Sequence, residues 1–97
     1  MWTGTLEFDI LLGDTHSLKQ KRAIVRPIVA EIHRRFGLSV AEVGWLDLHR
    51  RTGIGVAAVS SDAAHIVAVL DEIERMVAGR PEIELLSARR RLYNSED

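Results

Sequence analysis

The chain contains no cysteine among its 97 residues. That excludes a disulfide framework and a thiolate zinc site, and it agrees with a reducing compartment. Two prolines and seven glycines are too few for a linker or a low-complexity segment. No stretch approaches the roughly 20 apolar residues that cross a bilayer. The start, Met1-Trp2-Thr3-Gly4, leads straight into alternating residues instead of a basic start and an apolar run. Export and membrane insertion are not expected, and the expected location is cytoplasmic.

A large excess of charge of one sign is also missing, since the formal net charge is −1. The charges are nevertheless segregated. Between His16 and Arg51 the cations are residues 19, 21, 22, 26, 34, 35, 50 and 51 and the acids are 31, 42 and 47. Between Asp62 and Glu84 the acids are 62, 71, 72, 74, 82 and 84 and the cations only 75 and 80. A bipolar distribution of this kind can orient a soluble protein toward an anionic partner.

What is present reads as one domain spanning 1–97, with a polar tail from about residue 94, because two cores would each be too small to offset chain entropy. Trp2, Leu6, Phe8, Ile10 and Leu12 share one parity and Thr3, Thr5, Glu7 and Asp9 the other, which predicts a strand over 2–12 with one face on a core. Ser17 is the expected N-cap of a helix ending near Phe36, with Leu18, Val25, Val29, Ile32 and Phe36 at helical spacing and Gly37 as the stop. Pro27 is expected to bend it. Strands over 38–45 and 51–60 form a hairpin around Asp47-Leu48-His49-Arg50, and Ser61-Asp62 opens a second helix with the stripe Ile66, Leu70, Ile73 and Val77. The last strand, 82–93, changes parity between Ile83/Leu85 and Leu86/Ala88/Leu92, the mark of a bulge.

The order β-α-β-β-α-β is that of an α+β ferredoxin-like sandwich: a four-stranded antiparallel sheet, order 4-1-3-2, with two helices on one face. That topology gathers three turns, Gly13–Arg22, Gly44–Arg51 and Gly79–Pro81, at one end. Within His16-Ser17-Leu18-Lys19-Gln20-Lys21-Arg22 a helix N-terminus meets several cations, the elements of an anion site. Side chain by side chain, Ser17 is a cap, and Lys21 points toward the apolar side, where a buried ammonium needs a partner. Glu42, on the core side of the second strand, is the predicted partner. His16, Lys19, Arg22 and Arg26, with Arg50 and Arg51 of the hairpin, remain as candidate anion- or RNA-binding residues. Ser17, Lys21, Glu42 and Asp47 are structural candidates, with His16 and Asp47 expected to approach each other. Histidines 16, 33, 49 and 65 make no i, i+4 pair, so no metal ligand, cofactor or catalytic residue is assigned.

His16-Ser17-Leu18-Lys19 with Lys21-Arg22, then Ser39-Val40-Ala41-Glu42-Val43, Asp47, Gly55-Val56 and Ser60-x-Asp62-x-x-His65 resemble the YlxP-like family of small bacterial proteins of unknown function. The resemblance covers nearly the whole chain. It implies a ferredoxin-like fold and genes located among those for translation initiation factor 2, the transcription factor NusA and ribosome-binding factor A, and it implies no activity. The chain departs from many relatives around the hairpin, with Gly44-Trp45 before Asp47 and His49-Arg50 after it, so the tryptophan lies on the other side of the turn.

The resulting expectation is a non-catalytic cytoplasmic module that binds ribosomal RNA or the small ribosomal subunit through its helix and hairpin edge. Because the first strand offers only Thr3, Thr5, Glu7 and Asp9 to the open sheet face, that face is not expected to bind RNA. The alternative is a homodimer or larger oligomer packed through the open face, where Ala41, Val43, Gly53, Gly55, Ala57 and Val59 form a flat apolar surface. An acyl phosphate hydrolase of the same topology is disfavoured, since Leu11–His16 lacks the glycine-rich loop and following arginine. An amino-acid-binding regulatory domain of this topology usually accompanies a catalytic domain.

Overall fold

A computed structural model describes residues 1–96. Its elements are β1 (Trp2–Leu12), α1 (Leu18–Phe36), β2 (Ser39–Gly44), β3 (Arg51–Ser60), α2 (Ala63–Ala78) and β4 (Ile83–Asn94). The strands lie in the order β2-β3-β1-β4, all neighbours antiparallel, and both helices cover one face. This is the ferredoxin-like α+β sandwich that the alternation of patterns predicts. Strand β2 is slightly shorter than expected, ending at Gly44.

The core follows the periodicities. Leu6, Phe8, Ile10 and Leu12 of β1 are buried against Ile66, Leu70, Ile73 and Val77 of α2 and Val25, Ile28 and Ile32 of α1, with Ile54, Val56 and Ala58 from β3. Each fully buried aliphatic or aromatic side chain contributes about 1.5–3 kcal/mol. In α1 the centre of the buried stripe is Ile28, and Val29 is only half-buried. The helix runs unbroken through Pro27. Ser17 Oγ accepts from Gln20 N at 3.1 Å and Gly37 closes the helix in the left-handed conformation at φ 65°, as cap chemistry dictates.

Two register irregularities shape the open face. In β4 the pairing jumps from Asp9↔Ser87 to Ile10↔Leu85, so Leu86 is the extra residue and the parity conflict in the sequence is resolved. In β2 the pairing passes from Glu42↔Ile54 to Gly44↔Gly53, which leaves Val43 as a second, unexpected bulge. Gly44 and Gly53 then face each other so closely that a Cβ on Gly53 would lie 3.1 Å from Gly44 Cα. The polar tail is held at its start: Asn94 pairs with Trp2 and Ser95 N–H donates to Met1 O at 2.8 Å. Residue 97 lies outside the described residues.

Candidate functional site

The β1–α1 corner and the β2–β3 hairpin are stitched together through buried polar groups. Lys21 is 1% exposed. Its Nζ lies 3.0 Å from Glu42 Oε2 and donates to Trp45 O at 2.6 Å and Leu46 O at 3.3 Å. Thr52 Oγ1 donates to the same Glu42 oxygen at 2.6 Å. An ammonium has three protons, and this one has three oxygens, so burial is offset by a complete set of partners. Thr15 Oγ1 donates to His49 O, Leu12 N to Arg50 O at 2.8 Å and Arg50 Nε to Gly13 O at 3.1 Å. The corner that looks like a phosphate cradle in sequence is thus largely occupied by its own chain. His16 N–H is taken by Gln20 Oε1 at 2.6 Å, and the His16 ring meets Asp14 at 3.1 Å, not Asp47. Asp47 stands exposed on the hairpin.

The other predicted cations separate into two groups. Lys19, Arg22 and Arg26 are exposed on one flank of α1, and among the described residues none of them meets a carboxylate. Arg22, Arg26 and His33 rim a cleft of about 510 Å³ whose floor is Val25, Val29 and Val40, with Glu42 at one side. Arg51, a sequence candidate for the same surface, belongs elsewhere. Its Nε and Nη2 donate to both oxygens of Asp9 at 2.9 and 2.6 Å, and its guanidinium stacks on the Trp45 ring 4.5 Å from the centroid. The cause is cross-strand pairing: Leu11↔Arg51 and Asp9↔Gly53 put the two side chains diagonally across one face, within reach of a long side chain.

That face, away from the helices, carries a ladder of opposite charges. Besides Asp9–Arg51, Arg89 Nη2 donates to Glu7 Oε2 at 2.7 Å, whereas Arg90, of opposite parity, reaches Asp71 of α2 at 2.7 Å. Hydrogen bonding from Arg51 holds the Asp9 carboxyl below its ordinary value near 3.8 despite partial desolvation, with Trp45 and Arg89 adding to the lowering. Trp45 has a φ of 57°, the one positive value outside glycine among the described residues. A bulky side chain rarely takes this conformation. Here the Trp45 carbonyl is pinned by Lys21 Nζ and by Leu48 N–H at 3.1 Å.

Sequence reasoning passed over Trp45, Asp9 and Arg89 as site residues. The one available signal for Trp45 was its position next to Gly44, with Gly53 and Gly55 in the facing strand, a pattern that permits close backbone approach beside an aromatic. Among the described residues, no three His, Asp or Glu side chains gather as a metal set, and no helix is long and apolar enough to cross a membrane.

Residues 3–90 match the family described as "Protein of unknown function (DUF503)". The uncharacterized protein YlxP of Bacillus subtilis strain 168 is 35% identical over 81 residues, covering 84% of this chain and 88% of its own length. Among solved structures, SnoaB, a cofactor-independent oxygenase from Streptomyces nogalater, superimposes with a TM-score of 0.51 at 9% identity, over 98% of this chain and 94% of that one. At that identity the likeness is one of fold alone. A de novo designed protein, Ferredog-Diesel, gives a TM-score of 0.43 at 14% identity over 95% and 84% of the two chains. The chain belongs to the DUF503 family, in agreement with the resemblance read from its motifs.

Proposed function

We propose that this member of a family of unknown function is a non-catalytic cytoplasmic binding module that grips the phosphates of ribosomal RNA, free or in the small subunit, with the flank of α1. One observation carries the reading. Lys21, Arg35, Arg51, Arg80, Arg89 and Arg90 are each in ion-pair contact with a carboxylate; of the cations among the described residues that are not, Lys19, Arg22 and Arg26 are successive along one exposed flank, with Arg34, Arg50, Arg75 and Arg91 outside that run. Cations left without acids beside a shallow cleft are available to displace counterions from a polyanion, the main source of affinity for a nucleic acid backbone. Arg50, exposed on the hairpin with its Nε held by Gly13 O, is also without a carboxylate partner among the described residues. Filter binding to ribosomal RNA tests the reading. Affinity should fall with salt and fall again in the Arg22→Glu, Arg26→Glu double variant. Affinity indifferent to both would discard it.

A second reading is supported by the β2–β3 half of the open face. Val43 is 53% and Val59 66% exposed, beside exposed Ala41 and Ala57. A second copy packed there would cover them. Light scattering at tens of micromolar discriminates, because a particle mass near one chain of 10.9 kDa would remove this reading.

A further inference from the structure

The open face contains a cleft of about 560 Å³ lined by Glu7, Asp9, Val43, Gly44, Trp45 and Gly53, with Ser87 and Arg89 at its β4 side. Its construction is specific. The Arg51 guanidinium lies over the Trp45 ring, 4.5 Å from its centroid, and Trp45 itself lines the cleft. Arg51 is in turn fixed by both oxygens of Asp9. The ring is held by its own backbone as well, at a φ of 57° secured by buried Lys21. An uncommon conformation that several contacts secure together is a recurrent property of binding sites. Gly44 and Gly53 also line the cleft and bring no side chain into it.

We infer that this cleft is a binding site for guanine, stacked on the Trp45 ring. The carboxylates at the cleft wall select among the bases. Glu7 Oε1 has no hydrogen-bond partner among the described residues, while Oε2 accepts from Arg89. A carboxylate only accepts, and the Watson–Crick edge of guanine offers two adjacent donors, N1–H and the 2-amino group. Adenine and cytosine set a ring nitrogen acceptor beside their amino group, and uracil flanks its single N–H with two carbonyls, so each brings lone pairs against the carboxylate. Arg89, 76% exposed at the rim, stands where a 5′-phosphate can be met. The guanine is carried either by a free nucleotide or by a single-stranded RNA. The site does not depend on the α1 flank, so each can fail without the other.

The test uses the full chain with Trp2→Phe, so that Trp45 is the sole tryptophan. Titration with guanosine, adenosine, cytidine and uridine 5′-monophosphates should show saturable quenching by the guanosine nucleotide and binding roughly tenfold weaker for the others. Glu7→Gln should reduce that preference to about threefold or less. Variants at position 45 are read by polarisation of an end-labelled guanine-containing RNA tetranucleotide: Trp45→Ala should weaken binding by roughly tenfold or more, and Trp45→Phe should recover most of it. Urea melts of each variant establish that the fold is retained. Tighter binding of the tetranucleotide than of the mononucleotide assigns the site to RNA, and equal binding assigns it to a free nucleotide; both uphold a guanine site. Arg22→Glu with Arg26→Glu should leave mononucleotide binding unchanged. Equal response to all four nucleotides, no quenching at millimolar concentration, or Trp45 emission that changes only with protein concentration, as when a second copy covers the cleft, would overturn the inference.

Discussion

The flank of α1 and the β1–β4 half of the open face are both rich in charge and use it in opposite ways. On α1, Lys19, Arg22 and Arg26 follow one another without acids, and Glu42, which lines the same cleft as Arg22 and Arg26, is committed to Lys21. On the sheet, Asp9 and Glu7 each hold an arginine from a neighbouring strand, and one of those arginines supports an aromatic ring. The difference teaches that a cation's role depends on what the fold brings within 4 Å of it. Solvated helix charges address a distant polyanion through the field they create, whereas paired sheet charges position a neighbour and shape a cavity.

Four variants sharpen or break this contrast, given in order of their effect on stability. Lys21→Met removes the cation that holds the hairpin and leaves Glu42 partly buried and unpaired; urea denaturation should show a loss of about 3 kcal/mol. A loss below about 1 kcal/mol would mean that the hairpin is held without the network. Gly4→Ala tests the helix side of the same sheet, since its Cβ would lie 2.3 Å from Ile66 Cγ2; overpacking should cost about 1–3 kcal/mol in the same assay.

Asp9→Asn should cost about 1 kcal/mol at pH 7 and release Arg51 from its fixed position. Because the folded Asp9 carboxyl titrates below its unfolded value near 3.8, the stabilisation is fully present above that value. It is lost as the pH falls through it toward the folded pKa. The wild-type advantage over Asp9→Asn should therefore be level between pH 7 and roughly 5 and shrink below about pH 4. The smallest effect on stability is expected from Arg22→Glu with Arg26→Glu, within about 0.5 kcal/mol. The same pair should reduce the salt slope of RNA binding by about 2. A large loss of stability there would show that the α1 flank is structural after all.

Much of the fold was legible in the chain because its signals are local. Alternation over Trp2–Leu12, the spacing Ile66, Leu70, Ile73, Val77, and the caps Ser17, Asp62 and Gly37 each act within a few residues. The Lys21–Glu42 contact was also legible, since a cation pointed at a core needs an acid and only one lay on the right strand face near that end. The corner at His16–Arg22 was half legible: its cap and the local Gln20–His16 contact lie within a few residues, but the use of Thr15 by His49 O depends on how the hairpin folds back. The open-face cleft was not legible, because the bulge at Val43 changes where Trp45 emerges. Strand parity alone presents that face as Thr3, Thr5, Glu7 and Asp9.

The sequence by itself determined the element order, the core side of every element except β4 and the segregation of charge, because hydrophobic periodicity and capping are properties of neighbouring residues. Tertiary structure alone decided which arginines meet acids and which are left unpaired among the described residues. Asp9 and Arg51 are 42 residues apart and Glu7 and Arg89 are 82 apart. Contacts of that span are set by strand register, and the one-residue bulge at Leu86 in β4 is what puts Arg89 opposite Glu7.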